Sequence, residues 1–118
     1  MITKLKKLSK HEIKILKKRF QTLVFNADFD LVCESHIPST GIVLLGGEIK
    51  LFKKKKIQSR ILPGCMLGIY ELMNNQPTSN GCKVVGSSEL ILIQKSDVLE
   101  ALNDKDSELY TIIKESIL

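Results

Sequence analysis

At 118 residues, 43% hydrophobic and 26% charged, the chain has the size and balance of one folded domain, not of a disordered tail or two comfortable domains. No apolar run nears the roughly 18 to 20 residues of a membrane span, and the opening MITKLKKLSK lacks the apolar stretch of a signal peptide. A cytoplasmic protein with no membrane span is therefore expected. The net charge of +5 is uneven: residues 1–60 hold 14 Lys/Arg against 5 Asp/Glu, and residues 61–118 hold 4 against 8.

Ser9 with Glu12 three positions on fits a capping box, so a helix should begin at Lys10. Ile13, Leu16, Phe20 and Leu23 then recur at helical steps as one apolar stripe, with Lys10, Lys14, Lys17 and Lys18 largely off it. From Leu23 to Ile93 short apolar or alternating runs are broken by Gly, Pro, Asn and Ser, the pattern of many short strands in a sandwich or barrel. The expected strands are Leu23–Phe25, Phe29–Cys33, Gly41–Leu45, Glu48–Phe52, Ile57–Leu62, Met66–Leu67, Cys82–Gly86 and Glu89–Gln94. The run Lys53, Lys54, Lys55, Lys56 falls between two of them. Four like charges there repel one another and stay in water, which predicts an exposed hairpin tip. A short helix is expected over Ile69–Met73. Ser96 reads as the cap of another over Asp97–Leu102, and Leu109, Ile112, Ile113 and Ile117 mark a last helix within Ser107–Leu118.

Cys33, Cys65 and Cys82 are odd in number and widely spaced, so they read as free thiols buried as small hydrophobes. His11 and His36 are the only histidines, too few and too isolated for a metal centre, and no nucleophile with a paired base emerges. No catalytic residue, no metal and no cofactor is expected. The basic clusters Lys4–Arg19 and Lys53–Lys56 can attract acidic surfaces, but the six aromatics are not interleaved with the lysines as base stacking requires, which argues against nucleic acid.

Two passages carry a resemblance. Cys33-Glu34 is followed by Gly41-Ile42-Val43-Leu44-Leu45-Gly46-Gly47-Glu48-Ile49-Lys50-Leu51, and Leu62-Pro63-Gly64-Cys65-Met66-Leu67-Gly68 follows after the lysines. With the flanking helices they resemble the cyclic-nucleotide-binding domain, with Gly47 and Gly68 at the family's landmark glycines and Pro63-Gly64 at its Pro-Gly turn. The resemblance implies a mainly β fold with flanking helices: a β-roll of jelly-roll type over 23–94, an N-terminal helical part over 1–24 and C-terminal helices over 97–118, as one domain. It also implies a phosphate-binding cassette opening at Gly68. In members that bind cAMP or cGMP, the next residue is a Glu for the ribose hydroxyl, and an Arg after a Pro pairs with the cyclic phosphate.

Aligned on Gly68 and Pro77, this chain has Ile69 for the Glu and Thr78 for the Arg. Glu71 stands two positions late, on another face of the short helix, and Ser35 and His36 stand where the family has a Gly-Asp turn. Losing a charged contact of this kind costs about 2 to 5 kcal/mol, or thirtyfold to several thousandfold in affinity. Gly68, Ile69, Tyr70, Glu71, Leu72, Thr78, Ser79 and Asn80 thus outline a vestigial ligand pocket. The expected function is regulation or scaffolding through another protein, with Lys17, Lys18, Arg19, Lys53, Lys54, Lys55 and Lys56 as partner contacts and the last helix as a homodimer surface. The alternative is a sensor that binds a cyclic mono- or dinucleotide through altered cassette contacts.

Overall fold

The computed structural model describes residues 5–117. In chain order its elements are β1 (Leu5–Lys7), α1 (Lys10–Arg19), β2 (Leu23–Phe25), β3 (Phe29–Val32), β4 (Thr40–Gly46), β5 (Ile49–Lys53), β6 (Lys56–Ile61), β7 (Cys65–Leu67), α2 (Ile69–Met73), β8 (Gly81–Val84), β9 (Ser88–Gln94), α3 (Lys95–Leu102) and α4 (Glu108–Ile117). One sheet has the order β1-β7-β4-β9-β2 and the other β3-β8-β5-β6, with every pairing antiparallel.

The two sheets obey different sequence patterns because they are buried differently. In the five-stranded sheet, Ile42, Leu44, Cys65, Leu67 and Leu90 point into the space between the sheets. Their neighbours Val43, Met66, Ile91 and Ile93 point the other way, into a second core under the helices. Strands covered on both faces read as continuous apolar runs, as GIVLLG and LILI do. The four-stranded sheet is covered on one face only. Ile49, Leu51, Cys82 and Val84 face inward, while Lys50 and Lys83 alternate with them and stand opposite one another in the register.

The helices close the second core. Leu16 of α1, Leu72 of α2, Val98 and Ala101 of α3, and Leu109, Ile112 and Ile113 of α4 all enter it. The capping box at the start of α1 is complete: Glu12 N–H donates to Ser9 Oγ at 3.1 Å, and Ser9 N–H donates to Glu12 Oε1 at 2.9 Å. Gly47, at φ 87, makes the β4–β5 turn, and a Cβ there would overlap Ser88 Oγ.

Four local expectations are corrected. The segment before α1, read as helical, contains a strand: β1 pairs with β7, a partner 58 to 62 positions away in the Leu5↔Leu67 to Lys7↔Cys65 register that periodicity in LKK could not announce. Helix α1 stops at Arg19, so Leu23 does not extend its stripe but lies in β2, where it is exposed. The α3 helix starts at Lys95 rather than Asp97. Gln94 is its cap, with Asp97 as reciprocal partner, and Ser96 lies inside the first turn. Cys33 is exposed at the end of β3, unlike buried Cys65 and Cys82, because the chain turns there into Glu34-Ser35 with Ser35 at φ 67. Lys4 and Leu118, the outer limits of the basic segment and of the last helix, lie outside the described residues.

Candidate functional site

The cassette begins at Gly68, the cap residue of α2, and α2 is only five residues long. Ile69, 1% exposed, turns into the core under the helices and not toward the space between the sheets. It lies flat on Gly41 of β4, where a Cβ would overlap Ile69 Cδ1. Tyr70 is at the rim, and Leu72 is buried in the same core as Ile69. The void beside Ile69 and Tyr70, bounded also by Leu5, Met66 and Ser116, measures about 20 Å³. That is room for one water, against the roughly 300 Å³ or more of a small-molecule site.

Glu71 takes the direction opposite to Ile69. Its carboxylate is buried, and its charge acts on Cys82, an inter-sheet core residue. Burial first, and Glu71 second, push the Cys82 thiol up to about 12. The sequence reading put Glu71 on another face of the short helix; in the fold it is buried and acts on the inter-sheet core at Cys82.

Beyond Pro77 the chain is tied down from both sides. Thr78, 3% exposed, donates its hydroxyl to His36 O at 3.2 Å, with Cys33 O at 3.4 Å. Its backbone N–H donates to His36 O, and its carbonyl accepts from Ser35 N–H at 3.1 Å. The Ser35-His36 turn is therefore a clasp on Thr78. Asn80, 0% exposed, donates its side-chain amide to Phe52 O and to Gln58 Oε1, linking the cassette to β5 and β6.

The lysine run joins this arrangement. Lys54 and Lys55 form the hairpin tip at φ 51 and 66, a two-residue turn with both centres left-handed. Lys53 does not share their freedom. Its Nζ donates to Ser79 O at 3.0 Å and lies 3.6 Å from Glu34, whose other oxygen accepts from Lys54 N–H at 2.7 Å. Sequence reasoning missed this link. The available sign was an acid, Glu34, among the few in the basic half of the chain. Lys17, Lys18 and Arg19 lie elsewhere, exposed in the last turn of α1.

Among the described residues there is no group of three or more His, Cys, Asp or Glu placed to hold a metal, and no helix long and apolar enough to cross a membrane. The apolar side of α4 is already used: Leu109, Ile112 and Ile113 are buried against the rest of the chain, leaving Thr111, Lys114 and Glu115 outside.

No protein-family model and no curated protein matches the sequence. Solved structures do match in shape. A protein of a cyclic-GMP-dependent signalling pathway of bacterial phytopathogenesis superposes with a TM-score of 0.76 at 18% identity, over 93% of this chain and 91% of that one. The catabolite activator protein of Thermus thermophilus gives 0.70 at 16% identity, and 93% of this chain spans only 53% of it. A cyclic-nucleotide-binding domain from Methylobacillus flagellatus gives 0.68 at 19% identity, over 92% of this chain and 64% of that one. At these identities the likeness is one of fold: the chain has the β-roll of cyclic-nucleotide-binding domains, mainly antiparallel sheet with flanking helices.

Proposed function

We propose that this chain is a non-enzymatic regulatory or scaffold domain of the signalling type, working by contact with another protein through a β-roll whose cassette does not take cAMP or cGMP. The observation that carries this reading is the closure of the cassette from within. The positions that the resemblance assigns to the ribose carboxylate and the phosphate guanidinium are Ile69, packed on Gly41, and Thr78, bonded to the Ser35-His36 turn. A nucleotide would have to displace core packing and hydrogen bonds already made, and would meet no charge-assisted donor from Thr78.

Contact chemistry is then left to the surface. The Lys54–Lys56 tip and the Lys17–Arg19 end of α1 are exposed, and a cytoplasmic location fits free thiols and the lack of a spanning helix among the described residues. Calorimetry and thermal shift with cAMP, cGMP and cyclic dinucleotides test the closed cassette. A ligand that binds only the native state must raise its melting temperature by mass action, so millimolar ligand should leave it unmoved. Saturable binding of any of them would end this reading.

One observation favours a second reading, a sensor that uses altered contacts: the carboxylate of Glu71 is buried at the cassette and acts on the inter-sheet core at Cys82. On that reading a cyclic nucleotide binds saturably, and Glu71→Ala or Thr78→Ala weakens it.

A further inference from the structure

We propose that the cleft between α1 and α4 receives the acidic shoulder, residues 99–106, of a second copy of this chain. The cleft holds about 300 Å³. Ile15 and Leu109 form its floor, and Lys14, Lys18 and Arg19 stand on its rim. All three cations are exposed, and none is ion-paired with another described residue. The acid at the cleft, Glu108, is engaged instead by His11 Nε2 at 3.3 Å. The site is therefore a cleft with a small apolar floor whose rim carries three cations against one carboxylate, a net positive edge.

The complementary surface is on the same chain. At the end of α3 and in the loop before α4 the exposed acids Glu100, Asp104 and Asp106 face solvent, with Lys105 the cation among them. Immediately before them Leu99, a leucine on a surface helix, is 50% exposed. One apolar anchor followed by three carboxylates matches, in kind and in order of magnitude of charge, one apolar slot edged by three cations. The two patches are unlike, so two arrangements follow: if both patches of each copy engage reciprocally the contact is isologous and closes into a dimer, and if they engage head to tail it is heterologous and extends into longer assemblies. It is independent of whether the cassette takes a nucleotide, so the two ideas fail separately.

Sedimentation of the full chain over roughly the micromolar to millimolar range is the test. Self-association is expected, and it should weaken at least tenfold when salt rises from about 50 mM to about 0.5 M, because the screening length falls to a few ångströms. Lys14→Glu/Lys18→Glu/Arg19→Glu and, separately, Glu100→Lys/Asp104→Lys/Asp106→Lys should each abolish it, and mixing the two variants should restore a hetero-complex. Leu99→Ser, a single surface change that leaves the charges in place, should weaken it at least tenfold. A wild-type chain that stays monomeric throughout, or one whose association ignores salt, both charge reversals and Leu99→Ser, overturns the proposal.

Discussion

Replacing Ile69 with Ala, Gly41 with Ala, and then both, tests whether the Ile69 side chain is a structural plug over β4. Ile69 is 1% exposed in the core under the helices, so truncation removes buried atoms and leaves a cavity, at a cost of about 2 to 5 kcal/mol. Gly41 is not at positive φ, so Ala costs little in backbone terms, but its Cβ would overlap Ile69 Cδ1 and meet Ile69 Cγ1. Overpacking of this kind costs about 1 to 3 kcal/mol.

In the double variant the new methyl enters the space the isoleucine has left. The two costs should therefore not add: the pair should be at least about 1 kcal/mol less destabilised than the sum. Urea denaturation followed by far-ultraviolet circular dichroism gives all four corners of the cycle. For a chain of this length each kcal/mol moves the melting temperature by about 4 °C, so Ile69→Ala alone should lower it by about 8 to 20 °C. Additivity within about 0.5 kcal/mol would refute the idea that Ile69 occupies the space over Gly41.

Thiol chemistry should divide the cysteines: a disulfide reagent should titrate exposed Cys33 in the native protein and reach Cys65 and Cys82 only after unfolding, burial having raised both buried thiols. Rapid native labelling of Cys82 would contradict its placement. Ser9→Ala should cost about 0.5 to 2 kcal/mol by opening the capping box. At Glu12 burial works to raise the pKa, but the Ser9 backbone N–H and Lys6 outweigh it and hold the carboxyl below 4.5. A depressed carboxylate stabilises the fold above its unfolded pKa and loses that contribution as pH falls. Denaturation midpoints should thus drop on acidification from about pH 5 to pH 3, and Glu12→Gln should flatten that drop. Lys54→Asn with Lys55→Gly, the residues this turn type favours, should raise the melting temperature by a few degrees, since both positions hold left-handed φ. No change would mean that the tip is not strained.

Much of the fold was legible because burial writes itself into composition. The double-sided sheet shows as unbroken runs at Gly41–Leu45 and Glu89–Gln94, the single-sided one as alternation at Glu48–Phe52, and each predicted strand is present within two residues at either end. Helix α1 began where the Ser9 and Glu12 box said it would. What stayed hidden depends on distant partners. β1 is a strand only because Leu67 to Cys65 offer it an edge, and Lys6 then reaches Glu12 of α1 and Glu115 of α4. In the cassette, alignment located Ile69 and Thr78 but not the directions of their side chains. That Ile69 leaves the inter-sheet space while Glu71 acts on it depends on how α2 sits on β4, which spacing in a five-residue helix does not encode. The lysine tip was recognisable from charge repulsion. The clamp from Lys53 to Ser79 was not, since it joins segments 26 residues apart.

That clamp gives the tip a mechanical role as well as a charge. A lysine cluster on a slack tether attracts anions from any direction and sorts none of them. Here the base of the hairpin is held to the cassette by Lys53 and to the Cys33–His36 turn by Glu34. The hairpin that carries Lys54, Lys55 and Lys56 is therefore anchored to the roll at its base. A charge source anchored at its base gives the molecule a directed field, which would turn an approaching acidic surface toward one end of the roll before any contact was made.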